Sequence, residues 1–271
     1  PVYISVAPIH VQGEFIGTVE VFRDVTHEHE IDRAKTEFVS LASHQLRTPL
    51  TAISWYTEML LDPKLGKLSD DQQTFAEEIQ NGSNRMTELV NALLNVSRIE
   101  LGNFAVDPKP ISIATVLDNV LKDIQTLVKE SNIALELDLE EAPDSYKADS
   151  NLLSMIFQNL ITNAIKYTDK GSVKVRVYQK SKKLQIEVSD TGLGIPEDQQ
   201  KNIFKKMFRA SNVKRTDTTG TGLGLYLVKA IVEEVNGTIR FESQENEGTT
   251  FFITMPLSGM KSRDGSKPLN G

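Results

Sequence analysis

The chain has 271 residues, 39% apolar and 25% charged, which fits a globular protein of one or two domains plus connections. Its net charge of −7 argues against a nucleic-acid binder, which needs a basic surface. It has no cysteine, which excludes disulfides, thiolate metal sites and cysteine nucleophiles, and its four histidines include no convincing zinc set.

In chain order, residues 2–6 and 17–22 alternate apolar and polar around the turn Gln12-Gly13-Glu14, predicting two strands. An isolated hairpin is marginal in water, so residues 1–26 are expected to belong to a truncated domain or to pair with another chain. Asp24 or Thr26 fits the N-cap of a charged helix that runs through His44 to about Leu61. Within it Phe38, Leu41, Ala42 and Leu46 recur at helical spacing, and His44 and Thr48 share a face. Pro49 removes a hydrogen bond to the carbonyl of Gln45, which predicts a bend beside an exposed imidazole, itself a nucleophile when neutral. Residues 62–67 break the helix. Ser69 and Gln72 form a capping box for the next one. There Phe75, Ile79, Gly82, Met86, Leu89, Leu93 and Val96 alternate steps of four and three, a heptad seam. One hairpin cannot bury such a stripe on both helices. A dimeric four-helix bundle is therefore expected from residues 27–102, against the alternative of a two-helix arm packed on the rest of the chain.

Beyond Gly102 the pattern predicts helices over 111–129, 151–167 and 223–235. It predicts strands over 133–139, 172–178, 184–190, 238–243 and 249–256. The fold class is α+β: a helical hairpin followed, over 103–257, by an α/β sandwich with helices on one face of a mixed or antiparallel sheet. The polar tail 258–271 is expected to be disordered. No run is long and apolar enough to span a membrane, since 152–165 is interrupted by Ser154, Gln158, Asn159, Thr162 and Asn163. The start at Pro1 inside a strand-like pattern suggests a fragment.

Four segments of the second domain carry chemistry. Asn159, Asn163 and Lys166 share a helical face, where amide oxygens suit a hard cation and phosphate oxygens. Asp190-Thr191-Gly192-Leu193-Gly194 ends a strand; its carboxylate can accept an amine hydrogen bond while the glycines let backbone approach a flat ring. Gly220-Thr221-Gly222-Leu223-Gly224 opens a helix whose free N–H groups can cradle phosphates. Between them, residues 212–219 read as a flexible lid flanked by Phe204, Phe208 and Arg209, an arginine able to meet a terminal phosphate.

These motifs, in this order after the His44 segment, resemble the cytoplasmic core of a bacterial sensor histidine kinase over roughly residues 27–257. Residues 1–26 resemble the last two strands and exit of a PAS sensor domain. The resemblance implies the histidine kinase/gyrase-like ATPase fold, the cofactors ATP and Mg2+, a homodimer, a response regulator receiver domain as partner and a cytoplasmic location. Any membrane contact would come only through upstream segments. It implies His44 as phosphoacceptor and Thr48 as the residue that positions a water for dephosphorylating the regulator. Asn163, with Asn159 nearby, would hold magnesium. Lys166 and Arg209 would meet phosphates, and Tyr167 would pack near adenine. Asp190 would bind the adenine amine in a pocket shaped by Gly192 and Gly194, and Gly220, Thr221, Gly222, Leu223 and Gly224 would line the phosphates.

One position departs from the family, which usually has an acid directly after the phosphoacceptor. Gln45 can orient an imidazole but cannot accept its proton at neutral pH. A phosphatase-biased or non-catalytic dimeric scaffold is therefore one alternative. An ATPase of the gyrase, chaperone or mismatch-repair type is another; it needs a catalytic acid early in the nucleotide-site helix, where this chain has Asn159. Leu101-Gly102-Asn103 is the expected hinge between the modules.

Overall fold

The computed structural model describes residues 1–100, 104–216 and 220–264, with side chains described at all of these except 28, 29, 32, 33, 35, 36, 40, 44 and 214–216. Strands β1 (Val2–Val11) and β2 (Glu14–Asp24) pair antiparallel through Gln12 and Gly13, whose φ angles of 54° and 89° suit a tight hairpin turn. Every residue of β1 is exposed, including Tyr3 and Ile4, so the hairpin has no core of its own.

Helix α1 (Thr26–Leu61) follows. Val25 occupies its cap position, and the Asp24 carboxylate instead accepts the Thr26 N–H (2.9 Å) and hydroxyl (2.6 Å) just outside the helix. The helix runs on through Pro49. Asp62 accepts the Lys64 N–H (2.9 Å) and starts a single 3₁₀ turn, Pro63–Leu65. The predicted capping box then opens α2 (Asp70–Glu100). The Ser69 N–H donates to Gln72 Oε1 (2.9 Å), and the Gln72 N–H donates to Ser69 Oγ (3.3 Å).

The two helices share a narrow seam. Leu50, Val90 and Leu94 are buried together, and the Ser83 hydroxyl donates to the Leu50 carbonyl (3.1 Å). Arg47 donates to the Asn91 side-chain oxygen (2.6 Å). Most of the heptad stripe stays uncovered: Phe75, Ile79, Met86, Leu89 and Leu93 are 37–62% exposed, and Trp55 and Tyr56 of α1 are exposed as well. A contiguous apolar face of this kind marks an interaction surface.

The second unit is built on a mixed sheet of order β4-β6-β7-β9-β8. Its strands are β4 (Asn132–Asp138), β6 (Lys170–Lys180), β7 (Lys183–Asp190), β8 (Thr238–Gln244) and β9 (Gly248–Pro256). Only the β4–β6 pair is parallel. Alternate residues Val173, Val175, Val177, Leu184, Ile186, Val188, Ile253 and Met255 point inward. Helices α5 (Ser150–Lys166) and α7 (Gly224–Glu234) cover them, and α3 (Ile113–Asp123) packs on α5. Asp149 caps α5, accepting N–H groups of Asn151 (3.0 Å) and Leu152 (3.4 Å).

Three expectations are corrected. Residues 111–129 are not one helix: β3 (Lys109–Ile111) pairs with β5 (Tyr146–Ala148), Ser112 caps α3, and buried Ile124 separates α3 from α4 (Gln125–Glu130). Part of the expected flexible lid is helical, as α6 (Ser211–Thr216), and 217–219 lie outside the described residues, as does the hinge 101–103. The tail is ordered as far as Asp264, and 265–271 lie outside the described residues. Met260 is buried in the core and its sulfur accepts the Asp149 N–H (3.4 Å), while Arg263 exchanges backbone hydrogen bonds with Val106 (3.0 and 3.1 Å). The sandwich therefore extends past residue 257. Among the described residues, no helix is long and apolar enough to cross a membrane.

Met260→Ala should lower stability by about 2–5 kcal/mol, the range for a fully buried Met cut to Ala. Urea denaturation of the full chain checks it; a change within error would mean that the tail does not belong to the core.

Candidate functional site

A cavity of about 790 Å³ opens between α5, the end of β7, the segment after α6 and the start of α7. Its position follows from local chemistry. Helix α5 is apolar on three sides, and Leu153, Ile156, Phe157, Leu160 and Ile161 anchor it in the core. That packing turns Asn159, Asn163 and Lys166 to the remaining side, where all three border the cavity. The Asn159 Nδ2 donates to the Met155 carbonyl (2.7 Å), which aims its oxygen at the N-terminus of α7. A Cβ at Gly224 would lie 2.4 Å from that oxygen, so glycine leaves the Asn159 amide in its place where α7 begins.

Asp190 closes the other end. Its Oδ1 accepts the Gly192 N–H (2.9 Å) and the Thr249 N–H (3.2 Å). No described residue hydrogen-bonds its Oδ2. Burial pushes the carboxyl up to about 6, and the two backbone hydrogen bonds only partly offset that. Gly194 lines the cavity below Asp190, and the Asn212 amide donates to its carbonyl (3.0 Å). Tyr167 caps α5 and borders the cavity as well.

The glycine-rich turn forms the third wall through Gly220, Thr221, Gly222 and Gly224. Gly222 adopts φ +69°, a left-handed conformation, packed against the backbone of Met207 and Phe208. The Thr221 hydroxyl accepts the Leu223 N–H (3.2 Å) and shapes the turn into α7. The Arg209 guanidinium lies against Gly220 and borders the cavity. Phe204 holds this segment down by edge-on contacts with Phe241 (5.8 Å) and Phe251 (6.5 Å).

Not every expected residue is at the wall. Leu223 is buried and Gly192 sits behind Asp190 against the Tyr167 carbonyl; neither lines the cavity. Their part is to hold the turns that do. Gln45 and Thr48 do not line it either: they lie on α1 and are exposed, and the His44 side chain is outside the described residues. Two contributors were missed by sequence reasoning. The Thr249 N–H that holds Asp190 is a backbone group with no sequence signal. The polar face of α2, with Asn84, Arg85, Glu88, Asn91 and Asn95, also borders the cavity.

A buried acceptor, an amide-bearing helix face and an opened helix N-terminus suit a purine nucleotide with its phosphates. Residues 34–102 match the family model of the histidine kinase phospho-acceptor domain, and residues 148–259 match that of the histidine kinase-, DNA gyrase B- and HSP90-like ATPases. The chain therefore joins a phospho-acceptor module to an ATPase module, in the order found in the sensor kinases it is similar to. It is 36% identical over 226 residues to the circadian input-output histidine kinase CikA of Synechococcus elongatus, covering 82% of this chain and 30% of that one. It is 31% identical over 230 residues to the phosphate regulon sensor protein PhoR of Pseudomonas aeruginosa, covering 84% and 52%. The chain thus spans a third to about half of the curated relatives it matches. Full-length ShkA, solved in complex with AMPPNP, has the same fold at a TM-score of 0.68 and 23% identity, covering 84% of this chain and 47% of that one. The ATP-binding module and the α+β architecture follow from these matches.

Asp190 also gives the ATPase module a pH signature. Its folded value near 6 lies above the ordinary 3.8, so the folded state holds a proton that the unfolded state has released. Its contribution to stability is therefore fully present below about 4 and is lost as pH rises to about 6. Asp190→Asn, which keeps the Oδ1 acceptor, should flatten the fall in stability across that window. Urea titrations at several pH values measure it, and an unchanged slope would mean that the carboxyl titrates normally.

Proposed function

We propose that this chain is the catalytic core of an ATP-dependent protein-histidine kinase of a two-component system. It would phosphorylate His44 and pass the phosphoryl group to an aspartate of a response regulator receiver domain. The observation that carries the reading is the cavity in which Asp190, the Asn159–Asn163 face and the Gly220–Gly224 turn converge beside a helical hairpin bearing His44.

The residues divide the work. Asp190 Oδ2 accepts the adenine amine, and Tyr167 packs beside the ring. Lys166 and Arg209 meet the phosphates, which the N–H groups at the start of α7 also receive. The amide oxygens of Asn163 and Asn159 suit Mg2+, a hard cation that takes oxygen ligands. Among the described residues no three His, Asp or Glu side chains cluster to hold a metal, so the ion would share its ligands with the phosphates. Bound there, it would neutralise charge on the phosphates. The imidazole nitrogen of His44 attacks the γ-phosphorus; the new N–P bond forms as the bond to the ADP oxygen breaks. The imidazole proton leaves to water or a phosphate oxygen, since Gln45 cannot take it. Thr48, exposed one turn on, would orient a water against a phosphorylated regulator.

The uncovered apolar faces of α1 and α2 support a homodimeric four-helix bundle. The exposed β1–β2 hairpin fits the end of a PAS-like sensor domain whose other strands would cover it. A cytoplasmic location agrees with this reading.

Magnesium and γ-labelled ATP should label the purified chain with a phosphoryl group that is acid-labile and alkali-stable, and His44→Ala should abolish it. Label that persists in the variant would reject His44 as acceptor.

Gln45 favours a second reading, a core biased toward dephosphorylating its regulator. General-base assistance contributes about 10²–10⁴-fold where it operates. Gln45→Glu should therefore raise the autophosphorylation rate, by up to about 10²-fold. An equal rate in both proteins would remove position 45 from the proton path.

A further inference from the structure

One wall of the nucleotide cavity comes from outside the ATPase module. Asn84, Arg85, Glu88, Asn91 and Asn95 of α2 border the same space as Asn163, Lys166 and Asp190. Steps of three and four place them on one side of the helix, apart from the apolar stripe of Phe75, Ile79, Met86, Leu89 and Leu93. Hairpin packing does not require a cation and an acid there: Arg85 and Glu88 are exposed, and Arg85 Nε donates along its own helix, to the Asn81 carbonyl (3.2 Å).

A contact farther along holds the two modules in this arrangement. Glu100, the last residue of α2, pairs with Lys206 and accepts the Tyr226 hydroxyl (3.4 Å); the Lys206 ammonium lies 5.2 Å from the Tyr226 ring. Lys206 precedes Arg209 and Tyr226 belongs to the first turn of α7. The two segments that form the glycine-turn side of the cavity are thus both tied to α2.

We propose that a bound nucleotide is gripped between the modules, with the polar face of α2 as a second wall and Arg85 as its contact to the polyphosphate. The inference rests on the nucleotide reading of the cavity given above. ATP and ADP carry several negative charges, and the ATPase module borders them with Lys166 and Arg209. Arg85 adds a third cation from the opposite side, with planar donors suited to phosphate oxygens. Nucleotide binding and docking of the module on α2 are then coupled, each strengthening the other by the same factor. In the docked form the nucleotide faces α2, and Gln45 and Thr48, which flank the phosphoacceptor position on α1, are not at the cavity wall. Nucleotide thereby stabilises a holding state that must open before transfer.

The test uses the full chain with a fluorescent ADP analogue and magnesium. Arg85→Ala should raise Kd about three- to tenfold, and Arg85→Lys should recover part of the loss. Because the chain has no cysteine, Glu77→Cys with Lys182→Cys, diluted into unlabelled chain so that a dimer carries one labelled protomer, gives one pair of spin labels on exposed positions of the two modules. ADP should narrow the distance distribution of that pair, and Arg85→Ala should remove the narrowing. Wild-type affinity in Arg85→Ala, or a distribution indifferent to ADP, would overturn the second wall. Failure of the unaltered chain to bind the analogue would instead overturn the nucleotide reading itself.

Discussion

One carboxylate ties together the parts of the ATPase module that matter for the site. Asp190 ends β7, and its Oδ1 holds the N–H of Gly192 in the loop that follows and of Thr249 in the neighbouring strand β9. The loop is thereby folded back under the C-terminus of α5, where the Leu193 N–H donates to the Tyr167 carbonyl (3.0 Å). Sheet, loop and helix meet at this point. The cost is a charge removed from water, visible in the raised titration of the carboxyl. Two backbone donors on one oxygen compensate part of it and leave the second oxygen as a fixed acceptor in a cavity. A carboxylate placed only for stability would be better paired than this.

Local signals carried much of the architecture. The Ser69–Gln72 box stands as expected because both partners lie within one turn. Strands β6 and β7 alternate along most of their length, so their faces were legible from period alone. Elements too short to repeat a period were not: β3 and β5 have three residues each, too few to set a pattern. The break at Ile124 is hidden because an apolar residue there fits a continuous helix as well as a buried corner. The tail misleads by composition, since one buried methionine among polar neighbours carries little weight in an average.

The site was legible where side chains do the work and illegible where backbone or distant chain does. Asn159, Asn163, Lys166, Asp190 and the glycine turn could be read because their residue types are unusual in their positions. Gly192 and Leu223 belong to the same motifs yet act behind the wall, a distinction that only packing reveals. The α2 face looked like a solvated helix side, as most mixed polar stripes are, and nothing in its spacing says which module lies opposite.

Helix α2 therefore has three roles on three sides: a narrow seam to α1, an uncovered apolar stripe, and a polar face on the cavity. These roles make demands of different strength. The seam is apolar and buried, and it keeps the hairpin intact while the other contacts change. The tether to the ATPase module joins a partly open ion pair, whose Glu100 and Lys206 side chains are 40% and 44% exposed, to Ile99 of α2 packed against the edge of the module's core. Ion pairs of that exposure contribute about 0–1 kcal/mol, well within thermal reach. A module held by one such pair and one partly buried side chain can leave α2 without unfolding either unit, and the covalent linker keeps it near. The interface is weak enough to be decided by what occupies the cavity, which is the condition under which a nucleotide can set the position of the module that carries it.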